Sequence, residues 1–208
     1  MYKRQRYEIT TELLRKLIKE QVNHKIVLVV SDIVESKRFE QLKLESVHIT
    51  NYPNKPLGLK WQHGVNVAIQ LGADPVIILG SDDYLNPNFV KNAMIKLSEG
   101  YHFIGLRRFY VKRAKKTYLI DYKPEMPLGG GRVYSRKLLD YIGGKIFAPV
   151  DRRLDDFGWT KVVKSGMKKI IITDLNGHDM AITAIKGSWS MLNPFNPYHP
   201  NFTIICVE

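Results

Sequence analysis

Two adjacent carboxylates, Asp82 and Asp83, follow the apolar run Val76–Leu79 and a glycine at position 80. Such a run is typical of a strand buried on both faces, and open α/β sheets bind ligands at the carboxyl edge of their strands. Neighbouring carboxylates repel each other, and a hard divalent cation relieves that repulsion while leaving positions open for phosphates. We therefore expect a Mg²⁺ or Mn²⁺ site here. The alternative is a loop with acidic caps ahead of the helix that begins at Pro87.

Acidic residues also occur at the ends of two other predicted elements. The β-branched run Ile26–Val30 predicts a buried strand that leads to Asp32, and capping of the following helix is the preferred explanation for this acid. Asp155 and Asp156 precede a helical stretch, where the helix dipole stabilises carboxylates, although capping explains one acid more readily than two. His178 lies in a polar loop and is a candidate metal ligand, but a lone histidine there is more often neither ligand nor catalyst.

Apolar periodicity predicts alternating strands and helices along most of the chain. Helices are predicted over about 10–21 (with Thr10 as N-cap), 34–42, 59–71, 87–98 and up to 165, and strands over 26–30, 46–50, 76–79, 101–106, 117–122 and 168–173. Residues 107–116 predict a loop or hairpin, and Gly129–Gly131 predict either a flexible hairpin or a close backbone approach to a ligand. This order predicts an α/β fold with a doubly wound, mostly parallel (mixed) sheet flanked by helices.

The composition restricts the partners. The chain has 208 residues and a net charge of +12, which points to an anionic partner such as a phosphorylated small molecule. The basic stretch 107–116 is interpreted as a solvated loop, and no nucleic-acid-binding motif appears, so we do not expect nucleic acid as the partner. No apolar run approaches the roughly 18 residues that span a bilayer, no signal region follows the N-terminus, and Cys206 is the single cysteine, so we expect a cytoplasmic chain.

Four fragments follow one another in an order that is typical of a known family: Asn54–Lys60, Gly64–Ile69, Gly72–Ala73 and the strand ending in Ser81–Asp83. Together they resemble the nucleotide-sugar-binding half of a GT-A glycosyltransferase, from the large group of processive and non-processive inverting enzymes. In that family an Asn-x-Gly loop, a helix carrying Asn and Ala, and an apolar strand ending in an Asp-x-Asp-type motif occur at about this spacing. The resemblance covers roughly residues 2–175.

Three further segments are similar to parts of the same family. Val29–Asp32 looks like its earlier strand, Gly129–Arg136 like its acceptor-side glycine segment, and Leu154–Trp159 like the Glu-Asp motif that carries its catalytic base. The resemblance implies one GT-A-type domain over residues 1–208, with a nucleotide-sugar-binding half over about 1–100 and an acceptor-side half over about 101–208.

On the donor side, the resemblance implies roles for five side chains. Asp83 is the direct ligand of Mn²⁺ or Mg²⁺, Asp82 holds the ribose or the metal, and His178 completes the metal shell or touches the pyrophosphate. Asp32 accepts a hydrogen bond from the uracil or ribose, and Lys60 lies near the base or the phosphates.

The resemblance also implies a reaction. Tyr2 and Arg4 look like part of the family's Tyr-Asn-Arg turn and would flank the base. Asp155 or Asp156 deprotonates the acceptor hydroxyl as general base, which gives in-line displacement with inversion. The implied function is metal-dependent transfer of a sugar from a nucleotide-sugar donor, with a UDP-sugar favoured, to a hydroxyl of a glycan, protein or lipid acceptor.

The sequence departs from the family in three ways. No apolar strand precedes Tyr2, the acidic motif is Ser-Asp-Asp, and a longer acceptor-binding C-terminus is missing, as expected of one module of a larger protein or of a very small enzyme. Two alternatives stay open. One is a sugar-phosphate nucleotidyltransferase, which normally carries an N-terminal Gly-rich loop with a basic residue. The other is a non-catalytic nucleic-acid or carbohydrate-binding module.

Overall fold

A computed structural model of the chain describes residues 2–20, 24–113, 116–122, 125–172, 182–186 and 202–207. The helices are α1 Tyr2–Glu20, α2 Ile33–Glu40, α3 Leu57–Gln70, α4 Pro87–Ser98, α5 Arg136–Tyr141 and α6 Asp156–Lys164. The strands are β1 Ile26–Val30, β2 Val47–Asn51, β3 Val76–Ile77, β4 Asp83–Leu85, β5 Phe103–Leu106, β6 Arg108–Arg113, β7 Lys116–Tyr122, β8 Val133–Tyr134, β9 Lys169–Ile172, β10 Ile182–Lys186 and β11 Phe202–Val207. None of the described helices is long and apolar enough to cross a membrane.

The chain forms two compact units, each made of segments that are separated in the sequence. The first unit comprises Met1–Glu20, Ile77–Val133 and Lys169–Glu208, and the second comprises Gln21–Val76 and Tyr134–Lys168. Both halves of the chain contribute to each unit. The division into donor and acceptor halves at about residue 100 stays a prediction.

The second unit contains a parallel strand pair covered by helices. Strands β1 and β2 run in register from Ile26 opposite Val47 to Val30 opposite Asn51. Helix α3 packs against β1, and α2 packs against both strands. The strand lies where the β-branched run predicts it, although of its five residues only Val30 is buried and the other four are partly exposed.

A buried glutamine organises the second unit. Gln62, on α3, is 9% exposed and donates from Nε2 to the Gly144 carbonyl at 2.8 Å. Its Oε1 accepts from the backbone nitrogens of Ile146 at 2.9 Å and Phe147 at 3.1 Å. One side chain therefore satisfies three backbone groups of the segment after α5, groups that would be costly to bury without partners.

The first unit contains a five-stranded sheet in the order β11-β7-β6-β10-β4. Strands β6 and β7 form an antiparallel hairpin, whereas β10 pairs in parallel with β6 and antiparallel with β4. A four-stranded sheet in the order β3-β8-β5-β9 includes the parallel pair β5 and β9. The predicted α/β class with a mixed sheet flanked by helices is confirmed, and so is the hairpin predicted around residues 107–116.

Two local predictions are wrong. Helix α1 begins at Tyr2 instead of near Thr10, so the turn predicted at Tyr2–Arg4 is helix. Residues 2–20 contain no Gly or Pro, the two residues that most disfavour a helix interior, so nothing in this segment ends the helix before Thr10. The predicted strand 76–79 is regular only over β3, because the chain turns at Gly80 and resumes as β4, which begins at Asp83.

Candidate active site

The acidic pair lies in a tight turn between β3 and β4. The Asp83 backbone nitrogen donates to the Gly80 carbonyl at 3.2 Å, and the Gly80 nitrogen donates to Asp83 Oδ2 at 2.9 Å. The Asp83 carboxylate is therefore held by the backbone of its own turn, an interaction that aspartate makes readily. We call Gly80–Asp83 the acidic turn.

Two glycines lie in close contact with these carboxylates. A Cβ built on Gly80 would lie 2.7 Å from Asp83 Oδ2 and 3.2 Å from Asp82 Oδ1, so oxygens of both acids converge on that position. A Cβ built on Gly130 would lie 3.0 Å from the same Asp83 Oδ2. A side chain at either glycine would crowd the carboxylates, so glycine at both positions allows the carboxylates to lie where they do.

Helix α1 contacts the acidic turn and the residue that follows it. Thr10, which is 6% exposed, donates from Oγ1 to the Ser81 carbonyl at 3.1 Å. One residue beyond the turn, the Tyr84 ring lies under Lys16, whose Nζ is 3.9 Å from the ring centroid. At the far end of β4, Asn86 Oδ1 accepts from the Asn88 nitrogen at 2.8 Å and begins α4, as predicted for an Asn-Pro start.

The donor set of the acidic turn fits a hard divalent cation. Two adjacent carboxylates supply oxygen ligands, and Mg²⁺ or Mn²⁺ in phosphate-binding sites typically takes one or two carboxylates and completes its shell with water and phosphate. Within the described ranges, no group of three or more His, Cys, Asp or Glu side chains forms a closed metal site.

The second unit has a polar cluster where β1 ends. Lys60 Nζ, from α3, donates to Ser31 Oγ at 2.8 Å and to Asn54 Oδ1 at 3.4 Å. We call Ser31, Asn54 and Lys60 the Lys60 cluster. It lies at the carboxyl end of a parallel strand, the edge where α/β proteins bind ligands, and it presents a cation with polar partners. The basic residue predicted near a nucleotide is thus placed at the appropriate edge of its own unit.

Asp32 begins α2. Its Oδ1 accepts from the Glu35 nitrogen at 2.8 Å, and Glu35 Oε2 accepts in return from the Ser31 nitrogen at 3.0 Å. This reciprocal arrangement is close to a capping box and satisfies two donors at the helix start. The capping explanation preferred for Asp32 is confirmed, and its role toward uracil or ribose stays a prediction.

The second acidic pair lies at the start of α6. Asp155 is the N-cap residue but makes no side-chain cap hydrogen bond, and Asp156 Oδ2 lies 3.6 Å from Nε of the largely exposed Arg153. A different acid, Asp151, caps a helix: its Oδ1 accepts from the Leu57 nitrogen at the start of α3 at 2.8 Å. The role of Asp155 or Asp156 as a general base stays a prediction.

Two predicted site residues lie in a helix, and a third lies outside the described residues. Tyr2 and Arg4 belong to the first turns of α1 and not to a base-flanking loop. His178 lies outside the described residues. Within each unit the structure does bring predicted residues together: Asp82 with Asp83 in one, and Asp32 next to the Lys60 cluster in the other.

Sequence reasoning misses the residues that support the acidic turn. Apolar periodicity assigns Thr10 and Lys16 only to a core helix, and Gly130 stands out only as part of a glycine run. The bond from Thr10 to Ser81 joins residues 71 positions apart, so no local pattern indicates it. The glycine run is the one available signal, because glycine often marks a close approach.

No family model matches the chain, and no curated protein matches it significantly. Similar solved structures include A197 from STIV, with 11% identity and a TM-score of 0.46, covering 72% of this chain and 82% of that one. A cytidylyltransferase from Leptospira borgpetersenii serovar Hardjo-bovis has 13% identity and a TM-score of 0.45, covering 81% and 68%. A mannose-1-phosphate geranyltransferase from Thermus thermophilus has 17% identity and a TM-score of 0.34, covering 85% and 63%. With TM-scores below 0.5, these likenesses carry no argument about activity.

Proposed function

We propose that the protein is a divalent-metal-dependent transferase that acts on nucleotide-linked sugars. The observation that carries the proposal is the acidic turn, where an oxygen of Asp82 and an oxygen of Asp83 lie together against Gly80, and Gly130 also lies close to Asp83 Oδ2. A diphosphate needs countercharge, and Mn²⁺ or Mg²⁺ bound by these carboxylates supplies it when a phosphate leaving group develops charge. The net charge of +12 is in keeping with a doubly phosphorylated ligand.

The reaction we favour is glycosyl transfer from a UDP-sugar to an acceptor hydroxyl, with inversion at the sugar carbon. Asp83 is the direct metal ligand in this proposal, and Asp82 binds the metal or the ribose. The roles of Lys60 toward the phosphates or the base, and of Asp155 or Asp156 as the base that takes the proton from the acceptor hydroxyl, are those that the family resemblance implies; these residues belong to the other unit.

The second candidate is sugar-phosphate nucleotidyl transfer. The similar structures include a cytidylyltransferase, whose name describes a reaction of this class but whose TM-score of 0.45 carries no argument for it. Such enzymes normally carry an N-terminal Gly-rich loop with a basic residue. In this chain, β1 runs through Ser31 into the Asp32-capped helix α2 without a glycine, which is why glycosyl transfer stays the first choice.

One set of measurements tests the proposal and separates the two reactions. The melting temperature is measured with UDP-, GDP-, dTDP- and CMP-sugars, each with and without Mn²⁺, because a ligand that binds only the folded state raises it by mass action. Metal-dependent stabilisation by one nucleotide class supports the proposal, and no shift with any of them in Mn²⁺ contradicts it.

The bound donor is then incubated with water or acceptors, and the products are identified. Release of nucleoside diphosphate indicates cleavage at the sugar carbon and supports glycosyl transfer. Formation of a nucleotide sugar from nucleoside triphosphate and sugar 1-phosphate, with release of pyrophosphate, assigns nucleotidyl transfer instead. The variant Asp83→Ala should abolish metal-dependent donor binding in either case, whereas a charge-driven binding module would be unaffected by it.

A further inference from the structure

The glycine segment after β7 reaches the acidic turn. A Cβ built on Gly130 would lie 3.0 Å from Asp83 Oδ2 and 3.9 Å from its Cγ. The shorter distance is tighter than nine in ten real contacts of a Cβ, so even an alanine would require the carboxylate to move by a few tenths of an ångström. The residue type at position 130 therefore limits where the Asp83 carboxylate can lie.

Backbone hydrogen bonds hold this segment against two neighbours. The Leu128 nitrogen donates to the Leu106 carbonyl at 2.9 Å, at the end of β5. The Gly131 nitrogen donates to the Ile78 carbonyl at 2.7 Å, and the Ile78 nitrogen donates to the Arg132 carbonyl at 3.0 Å. Ile78 directly follows β3, so the segment is tied to the chain just before the acidic turn.

A buried arginine holds the same segment from inside. Arg132 is 1% exposed, and it donates from Nε to the Leu128 carbonyl at 2.7 Å and from Nη2 to the Pro127 carbonyl at 2.6 Å. Burying a guanidinium is costly unless its donors are satisfied, and the rigid fork of Arg suits two neighbouring carbonyls. The backbone from Pro127 to Gly131 is therefore fixed in shape by the side chain that follows it.

We propose that Pro127–Gly131, the glycine wall, is part of the metal–diphosphate site, with Gly130 setting the space beside Asp83 and Arg132 acting as a positioning residue. This inference rests on the proposed function and extends it to residues that the acidic motif does not include. The wall limits where the Asp83 carboxylate can lie, because a side chain at position 130 would crowd its Oδ2. Arg132 contributes by keeping the wall at its distance, without touching the ligand.

The test measures Mn²⁺ affinity directly, by the loss of the free-ion signal in electron paramagnetic resonance, with and without UDP and well below the melting temperature. Gly130→Ala should weaken Mn²⁺ binding roughly tenfold or more, the size of effect seen when groups supporting a ligand are disturbed. Gly64→Ala is the matched control, because its new Cβ would be as crowded, 2.8 Å from Val29 Cγ2, but in the other unit. It should leave Mn²⁺ affinity unchanged.

Arg132 is tested with Arg132→Lys, which keeps the charge but cannot serve both carbonyls with one fork. Its melting temperature should fall, and the fraction that remains folded should bind Mn²⁺ more weakly than wild type, which a purely structural role would not produce. If wild type binds no Mn²⁺ with or without UDP, the proposed function fails. If wild type binds and both Gly130→Ala and Arg132→Lys bind equally well, the inference about the glycine wall is wrong while the proposed function stands.

Discussion

Substituting Asp83 by asparagine separates the structural role of its carboxylate from its proposed role in binding metal. An asparagine side chain keeps the shape and an acceptor oxygen, so the bond from the Gly80 nitrogen, 2.9 Å in the native turn, can persist. A hydrogen bond to a charged group contributes about 1.5–3 kcal/mol and a neutral one about 0.5–1.5 kcal/mol, so Asp83→Asn should lower the free energy of unfolding by about 1 kcal/mol.

The expected effect on the metal is much larger. In a partly screened site, a unit charge about 4 Å from another is worth on the order of 4 kcal/mol, so loss of one carboxylate charge beside a divalent ion should cost roughly a hundredfold or more in affinity. Asp83→Ala loses the charge and the acceptor together. It should bind Mn²⁺ no better than Asp83→Asn but should unfold more easily, by about 1 kcal/mol further.

The assays are urea unfolding without metal and Mn²⁺ titration with and without UDP. Asp140→Asn is the matched control, because it removes the same charge from an exposed acid on α5, whose Oδ1 lies 2.8 Å from Nε of Arg136 in the other unit. That variant should keep Mn²⁺ affinity. The reasoning is refuted if Asp83→Asn retains wild-type Mn²⁺ affinity, or if Asp140→Asn loses as much.

Four further outcomes are expected. Thr10→Val removes the donor to the Ser81 carbonyl, so it should lower the free energy of unfolding in urea by about 1 kcal/mol and also weaken Mn²⁺ binding. An unchanged Mn²⁺ affinity would mean that α1 does not hold the acidic turn in its binding conformation. Gln62→Leu leaves three backbone groups without their partner and should lower the free energy of unfolding by about 3 kcal/mol or more. A loss below about 1 kcal/mol would contradict this role of Gln62. Asp32→Ala removes the α2 cap and should cost about 0.5–2 kcal/mol in a thermal or urea melt, whereas Asp32→Asn should cost little. Burial, and then the charge of Lys145, lower the pKa of Lys161 from its usual 10.5. Folding therefore disfavours the protonated form of Lys161. The free energy of unfolding of the wild type, relative to Lys161→Met, should rise as the pH increases toward 10.5. A fall over this pH range in denaturant titrations would refute the lowered pKa.

The elements that local chemistry specifies could be predicted from the sequence. The β-branched run at 26–30 gives β1, and Asn86 before Pro87 gives the start of α4 at the expected residue. Adjacent acids after an apolar run and a glycine correctly indicate that Asp82 and Asp83 lie at a turn following β3. In each case the signal and its cause lie within a few residues of each other.

The supports of the candidate site could not be predicted, because they depend on contacts between distant segments. The cap of α3 comes from Asp151, 94 positions beyond Leu57, and nothing near Pro56 indicates it. Likewise, Gly130 reaches Asp83 only because Arg132 and the strand hydrogen bonds shape the segment between them. The spacing along the sequence indicates which acidic residues could bind a metal, but the tertiary structure determines which residues contact them.

The interleaved composition of the two units has a consequence for how the protein is made. Helix α1 is translated before the other segments of its unit, yet that unit is completed only when residues after Lys169 have emerged. The other unit lies wholly between Gln21 and Lys168, so it can finish folding earlier on the ribosome. A nascent chain arrested once Lys168 has emerged from the ribosome should therefore protect the Gln62 contacts from protease while α1 is still cleavable.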